Sequence, residues 1–174
     1  SPDPDIRKAG VNYLIDILKA MEKVGSKSLV GAMYSYWPCQ FEITDKEAAW
    51  ERSIEGMKEV AEAAESLGIE CCQEVLNRYE TYIITDCREG LEYCRRVGSE
   101  NVNLLLDTFH MNIEEDNIPE AIRLAGRKLG HLHVGESNRK LPGMGSLPWR
   151  DIGRALRDIG YEKGVVMEPF LLQG

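Results

Sequence analysis

The sequence predicts an α/β fold of parallel strands covered by helices. Five short apolar runs recur along 174 residues, each preceded by a stretch whose apolar positions have helical spacing. The runs are nearly continuous in apolar residues, as expected of strands buried on both faces. Caps and glycines mark the boundaries, and regular helix–strand alternation implies a parallel sheet.

Asp3-Pro4 reads as a cap followed by proline in the first turn, opening a helix through Val11, Leu14, Ile15, Leu18 and Met21 to a stop at Gly25. "SLVGAMY" (28–34) is the first strand. "TDKE" (44–47) reads as a capping box, Thr44 with Glu47, starting a helix to Leu67 that Gly68 ends. "IECCQEVL" (69–76) is the second strand. A helix from about Thr85 to Val97 stops at Gly98, and "VNLLLD" (102–107) is the third strand. Asn117 and Glu120 signal a helix from Ile118 to about Leu129, with Gly130 as its stop. "HLHVGE" (131–136) is the fourth strand, residues 147–160 form the last helix, and "GVVMEPF" (164–170) is the fifth strand.

Two architectures satisfy this order, an open doubly wound sheet or a (β/α)₈ barrel. A closed barrel needs eight strands and roughly 250 residues, so five strands make at most a partial barrel. No low-complexity linker divides residues 1–174, which are expected to be one domain or part of one. The chain starts at Ser1 rather than Met, so its natural start is expected to lie upstream.

Hydrophobic residues make up 43% and charged residues 29%, a soluble, globular composition. The net charge of -8 argues against a nucleic-acid partner, whose phosphates need a basic face. No apolar run approaches the ~20 residues of a membrane span. The five cysteines form no C-x-x-C pair, so reduced thiols in a cytoplasmic protein are expected, most of them packed as small hydrophobes.

Ionisable residues mark four of the five strands near their C-terminal ends: Glu74, Asp107, His133 and Glu168. In parallel α/β folds these ends lie on one side, where ligands bind. Any one of the four alone reads as a cap or a surface ion pair. Four at corresponding positions read as a site. Three carboxylates converging would repel each other unless a cation lay between them. Three oxygen donors with one imidazole suit Mn²⁺, Mg²⁺ or Co²⁺ better than a structural zinc.

Glu80, His110 and Arg139 fall in the loops just beyond, where polar residues suit a hydroxyl-rich ligand or simple solvation. His131 shares a strand face with His133 and reads as a deeper, non-ligating histidine. Trp37 and Tyr36 sit on the same rim, as an aromatic wall for a sugar or as packing under a loop. "GMG" (143–145) is too short to mark a phosphate loop.

"EVLNRYE", "LLLDTFHMN", "HLHVGESNR" and "VVMEPF", in this order and spacing, resemble the ketose 3-epimerases, the D-tagatose and D-psicose (D-allulose) 3-epimerase family. "SYWP" resembles it too, and the resemblance covers essentially the whole chain. It implies a (β/α)₈ TIM barrel of the xylose isomerase-like superfamily. About five of eight strands would be present here, the first two and the last lying outside the chain.

The resemblance also implies metal ligands at Glu74, Asp107, His133 and Glu168. Glu74 and Glu168 would be the acid/base pair, and Glu80, His110 and Arg139 would contact substrate, with Trp37 on the rim. It implies a divalent metal, Mn²⁺ first with Co²⁺ or Mg²⁺ as alternatives, free ketohexose substrates, and a homodimer or homotetramer. A related hydroxypyruvate or xylose isomerase type is the alternative function. An endonuclease of the same superfamily fits less well, because three histidines and a charge of -8 suit neither a histidine-rich multi-metal site nor DNA.

Overall fold

The computed structural model describes residues 1–37, 39 and 45–170. Its elements are α1 (Pro4–Val24), β1 (Ser28–Gly31), α2 (Lys46–Leu67), β2 (Glu70–Val75), α3 (Cys87–Val97), β3 (Val102–Asp107), α4 (Thr108–Glu114), α5 (Ile118–Ala125), β4 (Leu129–Val134), α6 (Trp149–Asp158) and β5 (Gly164–Met167). A 3₁₀ turn over Gly126–Lys128 joins α5 to β4.

Local chemistry sets the boundaries. The Asp3 carboxylate accepts from the backbone N–H groups of Asp5 and Ile6, capping α1 as expected. The cap of α2 is Asp45, whose carboxylate accepts from the N–H of Ala48 at 3.1 Å. This corrects the capping box, whose Thr44 lies outside the described residues. Asp86 caps α3 in the same way, so that helix begins two residues later than the pattern suggested.

All five strands are parallel, in the order β1-β2-β3-β4-β5. A doubly wound sheet would reverse direction at a switch point, and this sheet does not. Consecutive order is that of a barrel wall, and the strands form a half-barrel. Helices α1, α2, α3, α5 and α6 pack each against the next on the outer face. Val102, Leu104 and Leu106 of β3 face them within the core, with Cys71, Val75, Leu129 and Leu132 from the flanking strands. Cys71, Cys72, Cys87 and Cys94 are buried free thiols, and Cys39 is half-buried.

The opposite, concave face carries Glu74, Asn103, Leu105, Asp107, His131 and His133, by the period-two alternation of strands. One irregularity makes this possible. Leu104 pairs with Leu129, but Leu105 pairs with His131, so Gly130 is an extra residue in β4. The bulge changes the parity of the strand. Leu129 joins the outer core while both histidines face inward. A side chain at position 130 would collide with the Cys72 sulfur and approach Asn103 Cβ at 3.0 Å, so only glycine fits. Gly130 was expected to stop a helix. It lies inside a strand instead, and α5 ends at Ala125.

The other corrections are shorter elements. The first strand ends at Gly31 rather than Tyr34, α6 spans 149–158 rather than 147–160, and β5 ends at Met167, leaving Glu168 one residue past it. Strand β5 is exposed along its whole length, Val165, Val166 and Met167 included. No helix among the described residues is long and apolar enough to cross a membrane.

Candidate metal centre and active site

Glu74 lies one residue from the end of β2, Asp107 ends β3, His133 lies one residue from the end of β4, and Glu168 follows β5. One potential ligand atom from each falls within 4.8 Å of all the others. His133 Nδ1 is 3.2 Å from Glu168 Oε1 and 3.5 Å from Glu74 Oε1. Neither contact has hydrogen-bond geometry, so Nδ1 is a buried nitrogen without a partner. Asp107 is fully buried. One of its oxygens caps α4 by accepting from the Phe109 N–H at 2.9 Å, and the other accepts from Arg139 Nη1 at 3.0 Å. Thr108 fixes the spacing of β3 and β4, because its hydroxyl donates to the Gly135 carbonyl at 2.7 Å and accepts from the Gly135 N–H at 2.9 Å.

Charge follows this geometry. Burial disfavours the His133 imidazolium, yet Glu74, Glu168 and Asp107 outweigh it and hold the ring's pKa above its ordinary value. Burial raises the Glu168 carboxyl, with the charges of Glu74 and Asp107 pushing the same way against His133 and Arg139. Three carboxylates, an orphaned imidazole nitrogen and a fixed spacing match the donor set of a divalent cation. These four residues are the candidate metal ligands.

His110 stands beside them, with Nε2 3.7 Å from Asp107 Oδ2 and 4.0 Å from Glu74 Oε1. It was expected in a loop and lies instead on the short helix α4. Burial lowers its pKa, against the opposing pull of Asp107, Glu80 and Glu74. Glu80 Oε1 lies 3.7 Å from His110 Nδ1, while Glu80 Oε2 accepts from the indole N–H of Trp37 at 3.1 Å. Trp37 is 64% exposed and held by this bond to Glu80. Arg139 sits between two rings, 3.6 Å from the centroid of Phe109 and 4.8 Å from that of Phe170. Its Nη1 is also 3.7 Å from Glu168 Oε2. His131 packs edge-on against His133 at 5.3 Å between centroids and lies outside the ligand cluster, as its depth in the strand suggested.

Sequence reasoning missed three contributors. Asn77 is buried and bridges His110 and Glu80. Its signal was present in "EVLNRYE", between two glutamates already singled out. Arg78, next to it, pairs with Glu114 through two nitrogens at 2.8–3.0 Å and locks this loop onto α4. Glu136 is wholly buried and accepts from the N–H groups of Gly143 (2.8 Å), Ser137 (3.3 Å) and Leu147 (3.4 Å) and from the Trp149 indole (2.5 Å). The "GMG" stretch wraps this carboxylate, and a side chain at Gly145 would overlap it. A cavity of about 590 Å³ lies elsewhere, between α1, β1 and α2, and contains none of the site residues.

A consecutively ordered parallel half-barrel with ionisable groups pooled at its strand ends defines a TIM-barrel type of site. The chain belongs to the xylose isomerase-like TIM barrel family, whose sequence model matches residues 1–172. Among its relatives is the D-psicose 3-epimerase of Ruminiclostridium cellulolyticum, 54% identical over 175 residues, covering all of this chain and 60% of that enzyme. A crystal structure of D-psicose 3-epimerase with D-tagatose, from Clostridium cellulolyticum H10, superposes with a TM-score of 0.97 at 53% identity, covering all of this chain and 61% of that one. A D-psicose 3-epimerase crystallised in the presence of D-fructose gives 0.97 at 46% identity, with the same coverage. The resemblance to ketose 3-epimerases is thus borne out, and the chain spans about 60% of the length of the curated relatives it matches.

Proposed function

We propose that this chain carries the catalytic strands of a ketose 3-epimerase, which inverts C3 of free ketohexoses of the D-psicose/D-fructose or D-tagatose/D-sorbose type. One observation carries the reading. Glu74 and Glu168, from strands separated by β3 and β4, bring carboxylate oxygens to 3.5 and 3.2 Å from the same His133 nitrogen. Two carboxylates so placed form a reversible pair: one removes the C3 proton, and the other returns a proton to the opposite face. Their roles exchange for the reverse substrate.

Glu74, Asp107, His133 and Glu168 would hold a divalent metal, with Mn²⁺ the first candidate and Co²⁺ or Mg²⁺ the alternatives. Such an ion supplies Lewis-acid polarisation of the C2 carbonyl and eases loss of the adjacent proton. Asp107 and His133 move no proton in this scheme. His110 and Arg139 donate to the oxygens at C1 and C2, and negative charge develops on the C2 oxygen as the C2–C3 enediolate forms. Glu80 takes up a hydroxyl, and Trp37 offers an apolar wall at the rim. The remaining barrel strands would come from the rest of a longer protein, closing on the open edges of β1 and β5 within a homodimer or homotetramer.

The test is substitution in the full-length protein. Glu74→Gln and Glu168→Gln should each fold with unchanged circular dichroism and lose at least about 10³-fold in kcat on every ketohexose tried. Near-normal turnover by either folded variant would remove it from the acid/base pair.

A further inference from the structure

We propose that Asn77 is a positioning residue that holds His110 in a single neutral tautomer, with the proton on Nε2, and so aims an N–H donor into the reaction space. The ligand of that donor rests on the epimerase reading above. The tautomer rests on hydrogen bonds alone.

Asn77 is buried two residues past the end of β2. Its Oδ1 accepts from the Tyr79 N–H at 2.9 Å, and its Nδ2 lies 2.9 Å from Glu80 Oε1 and 2.7 Å from His110 Nδ1. These partners settle which end of the amide is which. An ionised carboxylate only accepts and a backbone N–H only donates. Rotating the amide by half a turn would set oxygen against the Glu80 oxygen and NH₂ against the Tyr79 N–H, losing both bonds. The two hydrogens of Nδ2 are then committed, one to Glu80 and one to His110.

His110 Nδ1 must therefore accept. A neutral imidazole that accepts at Nδ1 carries its proton at Nε2. The groups around Nε2 are Asp107 Oδ2 at 3.7 Å and Glu74 Oε1 at 4.0 Å, both beyond hydrogen-bond range. The N–H is left available, directed toward two of the four residues that converge on the site. Two further contacts hold the ring there: an edge-on packing with Phe109 at 5.4 Å, and the Arg78–Glu114 pair that ties the Asn77 loop to α4. A ketose oxygen gaining negative charge as C3 loses its proton would find a preset donor, whereas the other tautomer would offer it a lone pair.

The experiment uses full-length protein with ¹⁵N-labelled histidine and long-range ¹H–¹⁵N spectra, the His110 signals being identified by their loss in His110→Gln. Wild type should show a bare Nδ1 and a protonated Nε2. Asn77→Asp keeps the shape but turns the donor into an acceptor. The pattern should reverse, and kcat should fall about 10²-fold with KM changed by less than about threefold. Asn77→Ala, which adds no charge, should show both tautomers and a smaller loss. In a His110→Gln background, where no tautomer remains to be set, Asn77→Asp should cost less than about twofold more. A wild-type proton on Nδ1, a reversed tautomer with unchanged kcat, or the full penalty in the His110→Gln background would each overturn the proposal. If wild-type protein turns over no ketose, the epimerase reading falls, and the spectrum still decides the tautomer.

Discussion

His133 Nδ1 stands 3.2 Å from a carboxylate oxygen of Glu168, buried and without a hydrogen bond. Burial opposes charge on this ring, but Glu74 and Glu168 prevail and raise its pKa above the ordinary 6.5. A ligating imidazole must be neutral, so a metal bound as proposed would have to displace a proton that these carboxylates favour. Metal affinity is expected to be full at pH values above the raised pKa and to be lost as pH falls through it, beginning before an ordinary histidine would titrate. In metal-free protein the sign is the reverse: His133 contributes stability below its unfolded pKa that is lost as pH rises through the folded one. Calorimetric titration with Mn²⁺, as pH is lowered from about 8 to about 6, should show falling affinity and release of about one proton per ion on the acidic side. A flat profile would remove His133 from the ligand set.

Arg139 is held by shape as much as by charge. Its guanidinium lies over Phe109 at 3.6 Å and contacts Phe170, while Nη1 reaches Asp107. It is also the one described non-glycine residue at positive φ, 59°. Lysine keeps the charge but neither the planar stacking nor the fork of donors. Arg139→Lys should raise KM for the ketose about tenfold, equivalent to about 1.4 kcal/mol, with a smaller change in kcat. Steady-state kinetics check this, and an unchanged KM would place Arg139 outside the substrate's reach.

Gly130 couples the fold to the site. Its bulge turns His131 and His133 to the concave face, and a methyl group there would strike Cys72 and crowd Asn103. Gly130→Ala should lower stability by about 1–3 kcal/mol in denaturant unfolding. It should also weaken metal binding by displacing His133. Loss of stability with intact metal affinity would mean that the bulge serves packing alone.

The sequence was most legible where one residue type has one physical use. "VNLLLD" gave β3 with its observed ends, because a fully buried strand is continuously apolar and its carboxylate marks the exit. The four ligand candidates were found because they recur at equivalent strand ends, and they do lie together. Boundaries failed where a tertiary contact overrode a local signal. Gly130 has the composition of a helix stop, but its position is set by the Cys72 sulfur across the sheet. The helix carrying His110 has no separate start signal, because its cap is Asp107, the same carboxylate that ends β3. Asn77 and Glu136 were missed because an amide or a carboxylate in a loop is ordinary, and only the folded chain reveals that each satisfies several buried partners at once.

Isotope exchange tests the central claim most directly. With full-length protein, Mn²⁺ and D-psicose or D-tagatose in D₂O, each turnover through the Glu74–Glu168 pair should leave solvent deuterium at C3 of the epimerised sugar, with C1 unlabelled. Deuterium at C2 of an aldose product, with exchange at C1 of the recovered ketose and none at C3, would contradict the account and assign the site to aldose–ketose isomerisation.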